Sequence, residues 1–399
     1  KNSPYRISIQ TTSTDGTDEG NHDAKSLNEE WKNAKYKEDY SSFFSITSCP
    51  ASAYHYRLRN ADQSERMEQK TIPLSPLIGT VTVNRRLTKE SWEQNTRHIA
   101  IQVRNVVNST IEKQYLAGDV ATIFPSNTRS DVETFLSCLP PSIRKLADSS
   151  LMISHEIWNK DSFVPWPRSC TLRGLLTHCA DIHGLPERED LRELSKFCNP
   201  HHPMGEEQRK KLIFLSETPG SALYVDYVLR EKRSWCDVLY DFDSIRWEPN
   251  QSSSSSTETI VFGIQDLLCV LPPMRPRHFS IASSPSQAAS QDLEIELCVA
   301  VVEGKTPFGR TYHGLCSHYL ASRQGTTTAT TSTTHDGSTH QNVLLWVKPG
   351  SFQQLPLGLK DSTLSFERPV LCIGAGTGIA PLRSILLERD AVLAKALAL

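Results

Sequence analysis

Three short stretches of this 399-residue chain hold residues able to do chemistry together. The first is RPRHFSIASS, Arg275–Ser284. Arg277 can present a planar fork of N–H donors to a phosphate. Phe279 offers a flat apolar face to another ring, and Ser280 adds a small hydroxyl able to reach a reacting atom. On a strand, residues 277 and 279 share one face, and 278 and 280 the other, unless the strand ends there. The same decapeptide also suits an ordinary edge strand with an exposed arginine. The second stretch is HGLCSHYL, His313–Leu320. Gly314 permits a tight turn, Ser317 can cap, and Tyr319 and Leu320 open an apolar helix face. Such a helix start offers an anion its free N–H groups and a positive dipole end. A plain capped helix has the same pattern. Cys316 would be reactive only if exposed beside positive charge; it reads as a packed small residue. The third stretch is VLCIGAGTGIAPLR, Val370–Arg383. It reads as a short apolar strand, a turn through Gly374, Gly376, Thr377 and Gly378, and a helix with Pro381 in its first turn. A glycine-rich turn between two elements is common, so its weight comes from standing third in this order.

The elements that must position these residues are legible in outline. Strand signals begin near Leu77. Ile78–Val83 and His98–Val103 alternate as half-buried antiparallel strands do. A turn at Gly118–Asp119 leads into a third strand that stops at Pro125. Three strands with short turns predict a barrel or sandwich. From Ser130 to Asp243 the pattern is helical. Asp131–Leu139 starts on an N-capping residue. Cys170–Ile182 places Leu172, Leu175, Leu176 and Cys179 on one face. Asp190–Phe197, Glu206–Leu215 and Ser221–Leu229 read as further helices. Strands return at His278–Ile281, Leu293–Val302 and Val343–Val347. Gln251–Glu258 and Arg323–Gln341 are low-complexity runs that read as disordered loops. Residues 1–70 are polar and mixed, a linker or remnant that reads as largely disordered.

Composition removes several classes. The net charge of −2 gives no global basic field for nucleic acid. No apolar run approaches the ~20 residues that span a bilayer. The ten cysteines are scattered, without a CxxC pair or zinc-ligand spacing, and read as reduced thiols.

RPRHFSIASS, then GLCSHYL, then GAGTGIAP together resemble the cytochrome P450 reductase family of diflavin reductases. The resemblance runs from about Leu77 to Arg389 and includes YLAGDVATIFPSN and TLRGLLTHCADI. It implies an α+β fold: an antiparallel, ferredoxin reductase-like FAD-binding β-barrel over residues 71–366, with a helical insertion at about 130–245. A truncated Rossmann-like NADPH module follows over residues 367–399. A full module needs roughly a hundred more residues. The resemblance also implies roles. Arg277 would bind the FAD pyrophosphate. Phe279 would stack on the isoalloxazine, where many relatives have Tyr. Ser280 would sit near flavin N5 and assist hydride transfer from NADPH, and His278 would be cofactor-facing. Cys298, Val299 and Ala300 would line the adenine or flavin side. Gly314, Leu315, Cys316 and Ser317 would cradle the FAD phosphates. Gly374, Gly376, Thr377 and Gly378 would receive those of NADPH. Gln114 stands where relatives often place an FAD-binding arginine. No flavodoxin-like FMN domain is visible in residues 1–70. The wording of the motifs is closest to the branch that serves cytosolic iron–sulfur assembly. That branch implies a cytoplasmic enzyme, able to associate with mitochondria, with an assembly protein as electron acceptor and no metal of its own. The alternatives are a P450-reductase-type or sulfite-reductase-type flavoprotein with another acceptor, or a non-catalytic FAD-binding module. As written, the chain is expected to bind FAD and to oxidise NADPH poorly.

Overall fold

Strands with one apolar face must bury it, and here they do so by curling the sheet on itself. The computed structural model describes residues 5–9, 77–104, 115–155, 166–167, 169–248, 261–286, 293–325, 342–354 and 369–397. In chain order the strands are β1 (Tyr5–Ile9), β2 (Leu77–Arg86), β3 (Thr96–Arg104), β4 (Val120–Phe124), β5 (Ser150–His155), β6 (Ser169–Thr171), β7 (Arg277–Ser280), β8 (Leu293–Ala300), β9 (Glu303–Lys305), β10 (Thr311–His313) and β11 (Asn342–Lys348). The helices are α1 (Arg129–Ser137), α2 (Pro141–Lys145), α3 (Leu172–His178), α4 (Arg188–Leu194), α5 (Gly205–Ser216), α6 (Ser221–Tyr224, continued as a π-helical segment Val225–Arg230), α7 (Trp235–Asp241), α8 (Ile264–Val270), α9 (Leu315–Ser322) and α10 (Ile379–Leu397).

The main sheet has six antiparallel strands in the order β7-β4-β11-β2-β3-β8. A bulge between Val81 and Val83 shifts the β2–β3 register, and bulges of this kind increase local twist. The two outer strands approach each other. Ile281, just past β7, bridges Leu297 of β8, and the Ala282 N–H donates to the Glu296 carbonyl at 2.8 Å. Alternate residues from every strand therefore meet inside: Val81, Ile99, Ile101, Ile123, Ile281, Ile295, Leu297, Val299 and Leu345, with Cys316, Tyr319 and Leu320 of α9 packed among them. Phe124, Leu344 and Trp346 face the other way, into the core of the helical region. β11 is thus buried on both faces along its middle, and its apolar run replaces simple alternation.

The helical region also contains a small sheet, β1-β5-β6. Tyr5–Ile9 is therefore a strand paired with β5, a correction to the reading of residues 1–70 as linker; the rest of that segment lies outside the described residues. Its apolar alternation, Ile7 and Ile9, matches that of Leu151 and Ile153 across the pair. The serine run Gln251–Glu258, most of Arg323–Gln341 and Gln114 also lie outside them.

α3 ends on His178, whose Nδ1 lies 3.0 Å from the Ser126 hydroxyl. Packing around the ring, and then the charge of Arg323, push its pKa down to about 4. The folded chain keeps this imidazole neutral at pH values where the unfolded chain protonates it. Its contribution to stability is full above the unfolded pKa and is lost as pH falls toward the folded one. Acidification from neutral to about pH 4 is expected to cost about 3 kcal/mol through this residue. Urea midpoints across that range should fall less steeply in His178→Asn than in the parent. Parallel slopes would contradict the assignment.

Candidate functional site

The site is built where β7 joins the sheet. Central strand β4 pairs with β7 in the register Val120–Ser280, Ala121–Phe279, Thr122–His278 and Ile123–Arg277. Phe279 is half-buried and packs on the inner core. His278 is exposed; its Nδ1 lies 3.0 Å from the Thr122 hydroxyl. Burial, then the charges of Lys348 and Arg277, hold its pKa below the ordinary value. The Arg277 guanidinium donates to the Arg275 carbonyl at 2.6 Å and lies 3.6 Å from the Asp181 carboxylate. Its side chain remains 43% exposed, leaving part of its fork available. Ser280 is half-buried at the end of the strand.

The second group is the N-terminus of α9. Gly314 occupies the N-cap, so no side chain caps the first turn. A β-carbon there would stand 2.6 Å from Val302 Cβ and 2.8 Å from the Ser317 hydroxyl, so only glycine fits. The Ser317 hydroxyl is engaged inside the turn: it accepts from the Val302 N–H at 3.0 Å and donates to the Gly314 carbonyl at 3.1 Å. What this turn offers outward is backbone N–H, the group an anion needs. Leu315 packs on the helical region's core. Cys316 is buried, and burial pushes its thiol up to about 12, which makes it packing and not a nucleophile at neutral pH. Phe279 of β7 and Cys316 in the first turn of α9 pack into the same inner core, which ties the RPRHFS strand and the GLCS helix start to one body.

On β8, Val299 points into the inner core, while Cys298 and Ala300 are half-buried on the opposite face. The glycine turn, Gly376–Gly378, lies against β8. Gly376 has φ +54°, a conformation that favours glycine. The residues before it correct the sequence reading. Val370–Ile373 is not a strand: Leu371 and Ile373 are 86% and 84% exposed. An apolar run becomes a strand only when a neighbour satisfies its N–H and C=O groups, and no strand among the described residues lies alongside it.

The helix after that turn makes contacts that sequence reasoning missed. α10 is clasped to the loop following β7. Arg383 donates to the Ala282 carbonyl at 2.6 Å and pairs with Glu296. The Ser384 hydroxyl donates to the Ser283 carbonyl at 2.6 Å. The Glu388 carboxylate accepts from the hydroxyls of Ser284 and Ser286 and from the Ser286 N–H. Buried polar residues four apart, Ser384 and Glu388, were the available signal. Asp181, next to Arg277, carried none.

The chain has recognisable relatives. The family described as "FAD binding domain" matches residues 72–319. Among curated proteins, the chain is 32% identical over 326 residues to a Danio rerio protein named "NADPH-dependent diflavin oxidoreductase 1", covering 80% of this chain and 45% of the relative. Proteins of the same name match from Debaryomyces hansenii, at 28% over 316 residues (78% and 44%), and from Mus musculus, at 29% over 326 residues (80% and 45%). The chain spans less than half the length of these relatives. No helix among the described residues is long and apolar enough to cross a membrane. With a family match over more than half its residues, the chain belongs to the FAD-binding domain family of the diflavin reductases.

Proposed function

We propose that the chain is the FAD-holding part of a cytoplasmic flavoprotein oxidoreductase. The complete protein would pass electrons from NADPH through FAD, and then FMN, to an iron–sulfur cluster assembly protein. The observation that carries this reading is the core shared by Phe279, two residues from Arg277 on β7, and Cys316 at the uncapped start of α9. That donor set fits FAD: a cation and backbone N–H groups for a pyrophosphate, and an apolar face for a flavin. FAD, when bound, supplies a ring that accepts two electrons together and releases them singly. Arg277 and the N–H groups of Leu315, Cys316 and Ser317 hold the phosphates, with Gly314 keeping the turn tight. Phe279 supplies the stacking face, Ser280 the hydroxyl at the reacting edge, and His278 flanks them. Cys298, Val299 and Ala300 form the strand wall. Gly374, Gly376, Thr377 and Gly378 receive the phosphates of NADPH at the start of α10. The approach of β7 and β8 supports reading the sheet as a barrel within a domain of residues 71–366, with residues 367–399 opening a Rossmann-like module.

The test is an absorbance spectrum of the folded chain after incubation with FAD and desalting. Retained flavin bands, shifted from those of free FAD, are expected. A folded chain that elutes without flavin would sink the reading.

A further inference from the structure

The cysteines looked unpaired in sequence, yet two of them meet inside the helical region. Cys138 closes the C-terminus of α1, and Cys236 sits in the first turn of α7. Their sulfurs lie 3.9 Å apart, across 98 residues of chain. We propose that Cys138 and Cys236 form a dithiol–disulfide couple, an oxidative modification site that staples α1 to α7.

The geometry favours closure without rebuilding the fold. A disulfide needs the sulfurs at about 2.05 Å, so they must approach by roughly half their present separation. Cys138 is the residue at which α1 gives way to the Leu139–Pro140 connection, where backbone can adjust. Among the described residues, its sulfur donates to the Thr134 carbonyl at 3.4 Å and makes a weak contact with the Ser137 hydroxyl at 4.0 Å. Cys236 is held more firmly, because Ser234 and Asp237 cap α7 reciprocally. Access is one-sided: Cys138 is buried and Cys236 half-buried, so small oxidants enter past Cys236. The local charges are mixed. Arg246 favours a thiolate on Cys138, while Asp237 opposes it at both sulfurs and Asp131 at Cys236.

The oxidant is hydrogen peroxide. One sulfur takes up a peroxide oxygen as a sulfenic acid, releasing one water. The other attacks that sulfur, forms the S–S bond and releases the second water. Two thiols lose two protons and two electrons, and hydrogen peroxide takes up both.

The test uses the reduced, desalted chain. It is titrated with hydrogen peroxide, blocked with N-ethylmaleimide and digested without reductant. The expected product is a linked peptide pair bearing Cys138 and Cys236, lighter by two hydrogens and restored by dithiothreitol. In Cys236→Ser, and separately in Cys138→Ala, the linked pair should vanish while the melting profile of the reduced protein shows a folded chain. Closing so long a loop should also raise the melting temperature of the oxidised parent by ~5 °C. Sulfinic acid accumulating at either cysteine without the linked pair would overturn the proposal. So would preferential linkage to another cysteine, or a lower melting temperature once the pair is linked. If one variant does not fold, the parent's linked peptide and melting shift decide the matter alone.

Discussion

Replacing Arg277 with methionine is expected to weaken FAD binding about 100-fold, about 2.7 kcal/mol. Methionine keeps the apolar stem on β7 and removes the fork of donors. A charge-assisted contact to a phosphate is worth this much when its partner is left without a counterion. The structure adds a second arm. Asp181 lies 3.6 Å from the guanidinium and shares its charge. Asp181→Asn removes that competition but also the tether. It should lower affinity by less than tenfold, and the remaining binding should depend more steeply on salt. Fluorescence titration of both variants at two ionic strengths makes the comparison. If Arg277→Met binds FAD as the parent does, Arg277 is an ordinary edge-strand arginine.

The largest expected loss of stability comes from Asp119→Ala, about 3 kcal/mol. This carboxylate is buried where three parts of the sheet meet. One oxygen accepts the Leu116 N–H at 2.8 Å, closing the turn before β4. The other accepts the Gly350 N–H at 3.1 Å, from the loop after β11. The Asp119 carbonyl also takes the Ile281 N–H at 2.9 Å, just past β7. Alanine would leave two part-buried backbone donors without their acceptor, and each such donor costs about 1–3 kcal/mol. Asp119→Asn can still accept but must turn its amide hydrogens toward one of those donors, so it should recover only part of the loss. A drop in the urea midpoint with unchanged slope is the expected signature. A shift below about 1 kcal/mol would mean that water replaces the carboxylate.

Sequence reading succeeded where one face of an element is dry. β2, β3 and β8 alternate because their inner residues fill one core while the others meet solvent or loops, and this pattern survives without any knowledge of neighbours. It failed where a partner far along the chain makes the element. β9 and β10 are three-residue strands of mixed polarity. Their hairpin is secured from outside, by the buried carboxylate of Glu231 accepting from the Thr306 hydroxyl and the Phe308 N–H. Val370–Ile373 shows the converse, since its apolar composition promised a strand that no strand among the described residues completes. At the site, Arg277, Phe279 and Gly314 were visible as types in a pattern. Asp181 was not, nor were Ser284 and Ser286, which Glu388 holds, because a carboxylate's role depends on what faces it. The Cys138–Cys236 contact is of the same kind: spacing along the chain says nothing about two residues 98 apart.

The way the curled sheet is threaded has a consequence for its assembly. β2 and β11 lie side by side, and the Thr80 hydroxyl donates to the Asn342 side chain across 262 residues. The sheet's central seam therefore cannot form until nearly the whole domain has left the ribosome. The helical insertion, whose contacts are nearer in sequence, can collapse earlier and shorten the loop that the seam has to close. Until that happens, β2 and β3 are a hairpin with an open edge and an exposed apolar face. That is the species on which chaperone binding or aggregation acts.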